Sequence, residues 1–149
     1  MLMPNIPGAD VLDLFAGSGA LGLEALSRGA ERAVFVDNSA EAIGCIKKNV
    51  SSAHMESRAA VKNASAVNFA KECNDSFDIV FLDPPYSGGL YRAALEAVSE
   101  NGLLKSGGVV VCEWDSRIGK PEISQRFNEV KEKKYGRVCI TVLETAAQD

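Results

Sequence analysis

Histidine is almost absent from this chain of 149 residues, which contains a single one, His54. The four cysteines, Cys45, Cys73, Cys112 and Cys139, are widely separated and form no Cys-x-x-Cys pair. Because zinc sites are built mainly from clusters of these two residue types, we expect no metal centre. We expect the four thiols to be free and buried, as in a protein of the reducing cytoplasm.

Long hydrophobic runs are missing too. No apolar stretch approaches the roughly 20 residues that span a bilayer, so we expect no membrane partner. Residues 1–4 have neither the basic nor the apolar region of a signal peptide. With 46% hydrophobic and 24% charged residues, the composition is that of an ordinary globular protein. We therefore expect a single domain, residues 1–149, that is a cytoplasmic monomer.

Basic residues are fewer than acidic ones, 16 against 20, and many of them are concentrated near the C-terminus. The net charge of −4 argues against a protein whose whole surface binds nucleic acid. Residues 117–137 are nevertheless rich in bases, which are Arg117, Lys120, Arg126, Lys131, Lys133, Lys134 and Arg137. This segment is either a local edge that contacts phosphates or a solvated face of the protein.

Apolar periodicity predicts alternating strands and helices along most of the chain. The predicted strands are 11–15, 33–36, 58–62, 77–82 and 109–113, the last after a turn at 105–108. The predicted helices are 19–27, 39–50, 65–72 and 90–100. Two further β-prone runs, 130–135 and 138–144, flank Gly136 and predict an antiparallel pair. The fold class is therefore α/β and Rossmann-like, with a mainly parallel sheet and a C-terminal antiparallel hairpin.

A glycine-rich loop follows the first predicted strand. Its sequence, Gly17-Ser18-Gly19-Ala20-Leu21-Gly22, matches G-x-G-x-x-G, and Asp37 lies 20 residues after Gly17. At the end of the second strand, Asp37 can accept hydrogen bonds from both hydroxyls of a ribose. This spacing is typical of dinucleotide sites, but the same geometry serves S-adenosylmethionine. Asp13 favours S-adenosylmethionine, because a carboxylate suits a cationic group better than it suits a pyrophosphate. The structural role open to Asp13 is to accept hydrogen bonds from amides of the loop.

The fourth predicted strand ends in Asp83-Pro84-Pro85-Tyr86. The prolines stiffen the turn and leave carbonyl groups free to accept hydrogen bonds. Asp83 can accept a proton or a hydrogen bond, and Tyr86 offers a flat ring. Since carboxyl ends of parallel strands bind ligands, this set suits a planar amine such as a nucleobase. The alternative is a stiff turn with a helix-capping acid.

Taken together, the motifs resemble those of the RsmD-like 16S ribosomal RNA guanine-N2 methyltransferases. Residues 11–30 are similar to the first motif of that family, Asp83-Pro84-Pro85-Tyr86 resembles its amino-methyltransferase motif, and Lys134-Tyr135-Gly136 resembles its C-terminal hairpin. The resemblance implies the fold of a class I S-adenosylmethionine-dependent methyltransferase. It also implies an enzyme that methylates the exocyclic N2 amine of a guanine, with 16S ribosomal RNA or the small ribosomal subunit as its partner.

The resemblance also implies roles for individual residues. The methionine end of S-adenosylmethionine would be lined by Asp13, Phe15, Gly17, Ser18 and Gly19. Asp37 would hold the ribose and Asn38 would lie against the adenine. Where the family has an Asp-Ala pair this chain has Asn63-Ala64-Ser65, so Asn63 or Ser65 would contact the adenine amino group. The catalytic group would comprise Asp83, Pro84, Pro85 and Tyr86, with the ring of Tyr86 stacked on the base.

The chain departs from the family before its first motif. Family members carry a basic segment there, whereas the first motif of this chain already begins at Val11, so we expect the N-terminal extension to be absent. Three other functions stay open at this stage. They are methylation of another nucleobase amine (adenine or cytosine, in DNA or RNA), RNA binding without catalysis, and NAD-dependent oxidoreduction.

Overall fold

The computed structural model describes residues 5–84 and 89–146. Its strands are β1 Asp10–Leu14, β2 Arg32–Asp37, β3 Ala59–Asn63, β4 Phe77–Leu82, β5 Leu104–Asp115, β6 Phe127–Tyr135 and β7 Val138–Thr145. Its helices are α1 Ala20–Ser27, α2 Ala40–Ser52, α3 Ala66–Glu72 and α4 Gly89–Glu100, with a short 3-10 turn at Glu56–Arg58. Pro85 and Tyr86 of the predicted catalytic motif lie outside the described residues.

The seven strands form one sheet in the order β3-β2-β1-β4-β5-β7-β6. The first five strands pair in parallel, and β7 is antiparallel to both β5 and β6. Helices connect the parallel strands, as parallel pairing requires. The predicted fold, a mainly parallel sheet with a C-terminal antiparallel hairpin, is confirmed.

Side chains on the two faces of the sheet belong to two separate cores. On one face, Val11 and Phe35 pack with α1 and α2. On the other, Leu12 and Leu14 pack with α3 and α4. Because successive residues of a strand point to opposite faces, β1 and β4 are apolar at almost every position. We call the face that carries Val11 and Phe35 the near face, and the face that carries Leu12 and Leu14 the far face.

The largest difference between predicted and observed strand boundaries is in β5. The predicted turn at 105–108 is wrong, because β5 begins at Leu104 and continues past Gly108 beside β4 with a register shift. A Cβ on Gly108 would lie 2.9–3.1 Å from the carbonyl oxygens of Lys105, Asp78 and Phe77. Glycine therefore lets the strand bulge against its neighbour instead of turning away. In addition, β1 ends at Leu14, one residue earlier than predicted.

The cysteines are free. Cys112 and Cys139 are buried as predicted, Cys73 is partly buried, and the prediction of burial is wrong for Cys45. Cys45 lies on the outer side of α2, whose inner side is formed by Ile43 and Ile46. Within residues 5–84 and 89–146, no helix is both long enough and apolar enough to cross a membrane.

Helix α1 packs against β2 at a distance that only glycine permits. A Cβ on Gly22 would lie 2.4 Å from Cε1 of the fully buried Phe35 ring. We expect Gly22→Ala to lower the free energy of unfolding by roughly 1–3 kcal/mol, because overpacking outweighs the better helix propensity of alanine. Urea titration followed by circular dichroism measures this change.

Gly44 in α2 provides the control for this substitution. It is an exposed position in a helix interior, and an added Cβ meets no atom within 4 Å. Gly44→Ala should therefore raise the free energy of unfolding by up to about 1 kcal/mol. Equal effects of the two substitutions would show that the contact with Phe35 does not govern the packing of α1.

Candidate active site

The segment between β1 and α1 turns sharply because several residues adopt left-handed backbone angles. Phe15 has φ +59°, Gly17 φ +59° and Gly19 φ +84°. Gly19 is the residue that precedes the first turn of α1. Such angles are readily adopted by glycine and are uncommon for a bulky residue such as Phe15. The turn carries the chain directly from the end of β1 into α1 and leaves the loop beside the carboxyl ends of the strands.

A cavity of about 690 Å³ lies between this loop and the strand ends. Seven of the residues predicted for the site line it, namely Asp13, Phe15, Gly17, Ser18, Asp37, Asn38 and Asp83. The two sequence motifs meet here because β4 lies next to β1, with Leu82 opposite Leu14. Asp83, the residue after Leu82, is thereby placed beside the glycine loop. The volume is typical of a site for a small organic ligand.

Asp37 anchors the glycine loop to the second strand. One carboxylate oxygen accepts a hydrogen bond from the backbone N–H of Gly17 at 2.9 Å, and the other accepts one from that of Ser39 at 3.0 Å. Ser39 in turn caps α2, since its hydroxyl accepts the N–H of Ala42. Each carboxylate oxygen has a further lone pair, so Asp37 can hold the loop and accept hydrogen bonds from a ligand.

Asp13 is a buried acid at the base of the cavity. It is 2% exposed, and its Oδ2 accepts the N–H of Gly22 at 3.2 Å. Burial, followed by the nearby charges of Asp83, Asp37 and Glu113, raises the pKa of Asp13 to about 7, and the hydrogen bond from Gly22 opposes this rise. The sequence interpretation of Asp13 as an acid bonded to a backbone amide is therefore confirmed.

Asp83 and Glu113 form the side of the cavity nearest the hairpin. Partial withdrawal from water and the charge of Glu113 raise the pKa of Asp83 to about 6. Burial also raises the pKa of Glu113. Glu113 was not predicted as a site residue, although Cys112 pairs with Leu82 and so brings Glu113 level with Asp83. The rule that placed Asp83, the carboxyl end of a parallel strand, could have identified Glu113 as well.

The cavity is strongly acidic. Four carboxyl groups line it, and the lining residues include no lysine or arginine among those that the structure describes. Burial, together with repulsion between the carboxylates, raises the pKa of Asp13 and of Asp83, and a bound positive charge would favour their ionised forms. The arrangement therefore favours a cationic ligand. It disfavours the pyrophosphate of a dinucleotide, because a pyrophosphate is bound by positively charged groups or by amide donors.

A smaller cavity of about 140 Å³ adjoins the first and shares Phe15, Asp37 and Asn38 with it. Ser65 lines this second cavity, and its hydroxyl caps α3 by accepting the N–H of Asn68. Asn63 lines neither cavity. Of the other predicted site residues, Gly19 and Pro84 are buried beside the site without lining the two cavities.

The chain is similar to a known protein family and to named relatives along most of its length. The family model described as conserved hypothetical protein 95 matches residues 1–144. The ribosomal RNA small subunit methyltransferase D of Haemophilus influenzae is 38% identical over 92% of this chain and 72% of its own length.

Solved structures show the same architecture. A conserved hypothetical protein of Streptococcus pyogenes is 38% identical, with a TM-score of 0.83 over 92% of this chain and 86% of its own. A tRNA methyltransferase of Bacillus subtilis, at 18% identity, shares the fold with a TM-score of 0.71 over 95% of this chain and 62% of its own. The predicted methyltransferase-like fold is thereby confirmed.

Proposed function

Since this chain belongs to the family described as conserved hypothetical protein 95, we propose that it transfers a methyl group from S-adenosylmethionine to the exocyclic N2 amine of a guanine in 16S ribosomal RNA. The related enzyme of Haemophilus influenzae is named a ribosomal RNA small subunit methyltransferase. The observation that carries the proposal is that Asp83 shares one cavity with the glycine loop and with Asp13 and Asp37.

The residues of the two cavities suit S-adenosylmethionine. This cofactor supplies a methyl group on a positively charged sulfur, and the four acids of the larger cavity stabilise positive charge. Asp37 accepts hydrogen bonds from the ribose hydroxyls on those carboxylate lone pairs that the N–H groups of Gly17 and Ser39 do not use. Phe15 and Asn38 line the smaller cavity, which is assigned to the adenine ring. Ser65, rather than Asn63, is the polar group available to the adenine amine.

Asp83 and Pro84 are assigned to the amine of the base. The lone pair of a guanine amine is delocalised into the ring, so the nitrogen is a weak nucleophile. Hydrogen bonds from its N–H groups to the Asp83 carboxylate and the Pro84 carbonyl stabilise positive charge as it develops on that nitrogen. With a pKa of about 6, Asp83 is mostly ionised at neutral pH and basic enough to take the released proton. Tyr86 is assigned to stacking on a base that has left its helix or loop.

A tritium-methyl transfer assay tests the proposal. Small ribosomal subunits and naked 16S RNA, both from cells that lack this methylation, are incubated with the protein, and the labelled nucleoside is identified by chromatography. We expect label in N2-methylguanosine. Label in methyladenosine or methylcytidine would assign a different amine, and absence of label on every RNA substrate would contradict the proposal.

Ligand specificity is measured separately by thermal shift. S-adenosylhomocysteine should raise the unfolding temperature, because a ligand that binds only the folded state stabilises it. NADH should leave the temperature unchanged, since no positive group lines the acidic cavity within the described residues. Stabilisation by NADH alone would favour an oxidoreductase.

A further inference from the structure

The hairpin of β6 and β7 extends the near face of the sheet beyond the cavity. Directly opposed residues of neighbouring strands point to the same face. Glu113 opposes Ile140, and Ile140 opposes Lys133, so these three form a row across β5, β7 and β6. Ile140 packs in the near-face core, and Val111, two residues before Glu113, does the same. Lys133 therefore lies on the face that also carries the acids of the cavity.

A β-bulge at Val130 determines which side chains of β6 reach this face. Glu129 opposes Leu143 and Lys131 opposes Val142, so Val130 is one extra residue in β6. Leu143 belongs to the far-face core and Val142 to the near-face core. A regular strand would place Glu129 and Lys131 on the same face, and the bulge reverses the alternation for every residue after it. It thus moves Lys131, Lys133 and Tyr135 to the near face.

The bulge places Lys131 and Lys133 on a different face from the acids of β6, whereas Lys134 shares the face of the acids. The acids Glu129 and Glu132 lie on the far face, where Nζ of Lys120 contacts them at 2.7 Å and 2.9 Å. Glu132 also accepts a hydrogen bond from the hydroxyl of the buried Thr141. Lys131 and Lys133, in contrast, are exposed and take part in no ion pair within residues 5–84 and 89–146. The near face of β6 therefore carries two unpaired positive charges, with the exposed Glu144 of β7 on the same face beyond the bulge.

An exposed aromatic ring completes this surface. Tyr135 is 43% exposed, and Val138, directly opposite it on β7, is 41% exposed. An exposed ring and an exposed apolar side chain beside two lysines form a surface suited to a partner that carries both flat rings and negative charge. We call Lys131, Lys133, Tyr135 and Val138 the hairpin surface.

We propose that the hairpin surface binds the RNA strand next to the target nucleotide, with Lys131 and Lys133 on phosphates and the ring of Tyr135 stacked on an unpaired base. This proposal rests on the proposed function and specifies where the RNA lies. The four acids of the cavity repel phosphates, so the RNA backbone must be held elsewhere while one base enters. Strand β6 lies two strand spacings, or about 10 Å, from β5, and its lysines Lys131 and Lys133 lie on the same face as Glu113. Lysines with exposed aromatic rings are the usual means of binding single-stranded RNA.

Neighbouring lysines on opposite faces provide the test. Lys134 opposes Cys139 and therefore points to the far face, as does Trp114, which also opposes Cys139. Lys133→Gln and Lys134→Gln remove the same charge from adjacent positions.

Binding of a 16S RNA fragment is measured by fluorescence anisotropy at several salt concentrations. We expect Lys133→Gln to weaken binding and to reduce the slope of log K against log salt by about 0.7, the value for one phosphate contact on a single strand. Lys134→Gln should leave the slope unchanged.

Substitutions of Tyr135 test the stacking contact. Tyr135→Ala should weaken RNA binding roughly tenfold, whereas Tyr135→Phe should retain it, because stacking requires the ring and not the hydroxyl. The affinity for S-adenosylhomocysteine should be unchanged in all four variants, since the hairpin surface does not line the cavities. That measurement also shows that the variants are folded.

Different outcomes separate this proposal from the proposed function. If the wild-type protein methylates ribosomal RNA but Lys133→Gln and Lys134→Gln behave alike, the hairpin surface is not the RNA contact. If Lys133→Gln impairs methylation of assembled subunits while binding to naked RNA is unchanged, the surface contacts a ribosomal protein and the proposal is overturned. If Lys133→Gln weakens RNA binding but the wild-type protein transfers no methyl group, the hairpin proposal holds and the proposed function fails.

Discussion

Asp83→Asn should reduce kcat for methyl transfer by about 10²–10⁴-fold, the range typical of a lost general base. The amide preserves the shape of the side chain but presents only one oxygen, and that oxygen is too weakly basic to take the released proton. Tritium-methyl transfer at saturating RNA and cofactor measures kcat. Affinity for S-adenosylhomocysteine, measured by calorimetry, should stay within a few-fold of the wild-type value, because Asp83 is assigned to the base and not to the cofactor.

The pH profile provides an independent control for Asp83. Only the ionised carboxylate can accept a proton, and the pKa of Asp83 is raised to about 6. In the wild-type protein, kcat should therefore reach a plateau at high pH and fall about tenfold per pH unit below an inflection at or below pH 6, because the positive charge of the bound cofactor lowers the pKa of Asp83. Saturating cofactor is required, because Asp13 titrates near pH 7 in the free protein. The inflection should disappear in Asp83→Asn. An unchanged inflection in this variant would assign the basic group to another residue.

Asp37→Ala should weaken binding of S-adenosylhomocysteine by at least about a hundredfold. Hydrogen bonds to a charged group contribute about 1.5–3 kcal/mol each, and the substitution removes those to the ribose hydroxyls. It also frees the N–H groups of Gly17 and Ser39, so the glycine loop and the start of α2 lose their common anchor. Calorimetry with S-adenosylhomocysteine gives the dissociation constant.

Glu41 offers a matched control for this loss of charge. It lies in the first turn of α2, four residues after Asp37, and is exposed without lining either cavity. Glu41→Ala should leave the dissociation constant nearly unchanged. Equal weakening by Asp37→Ala and Glu41→Ala would mean that the general negative charge, and not the position of Asp37, determines affinity. Equal weakening by Asp37→Ala and Asp83→Asn would contradict the division of roles between these two residues.

Much of the site could be predicted because its parts obey local rules. The glycine loop, Asp37 and Asp83 each follow a strand whose apolar pattern is clear, and carboxyl ends of parallel strands meet at one edge of a sheet. Glu113 obeys the same rule but was missed, since it lies within a β-prone run and no motif marks it. The choice between Asn63 and Ser65 could not be made from sequence, because both lie near the end of β3 and only packing places Ser65 on a cavity.

The sequence by itself determined the alternation of strands and helices, the left-handed turn that requires glycine, and the two motifs that end their strands. These features depend on backbone angles and on the period of apolar residues, which are properties of neighbouring positions. Tertiary structure alone decided that β5 continues through Gly108 and that the bulge at Val130 places Lys131 and Lys133 on the near face. Both depend on register against a strand distant in sequence, and a shift of one residue reverses the face of every side chain that follows.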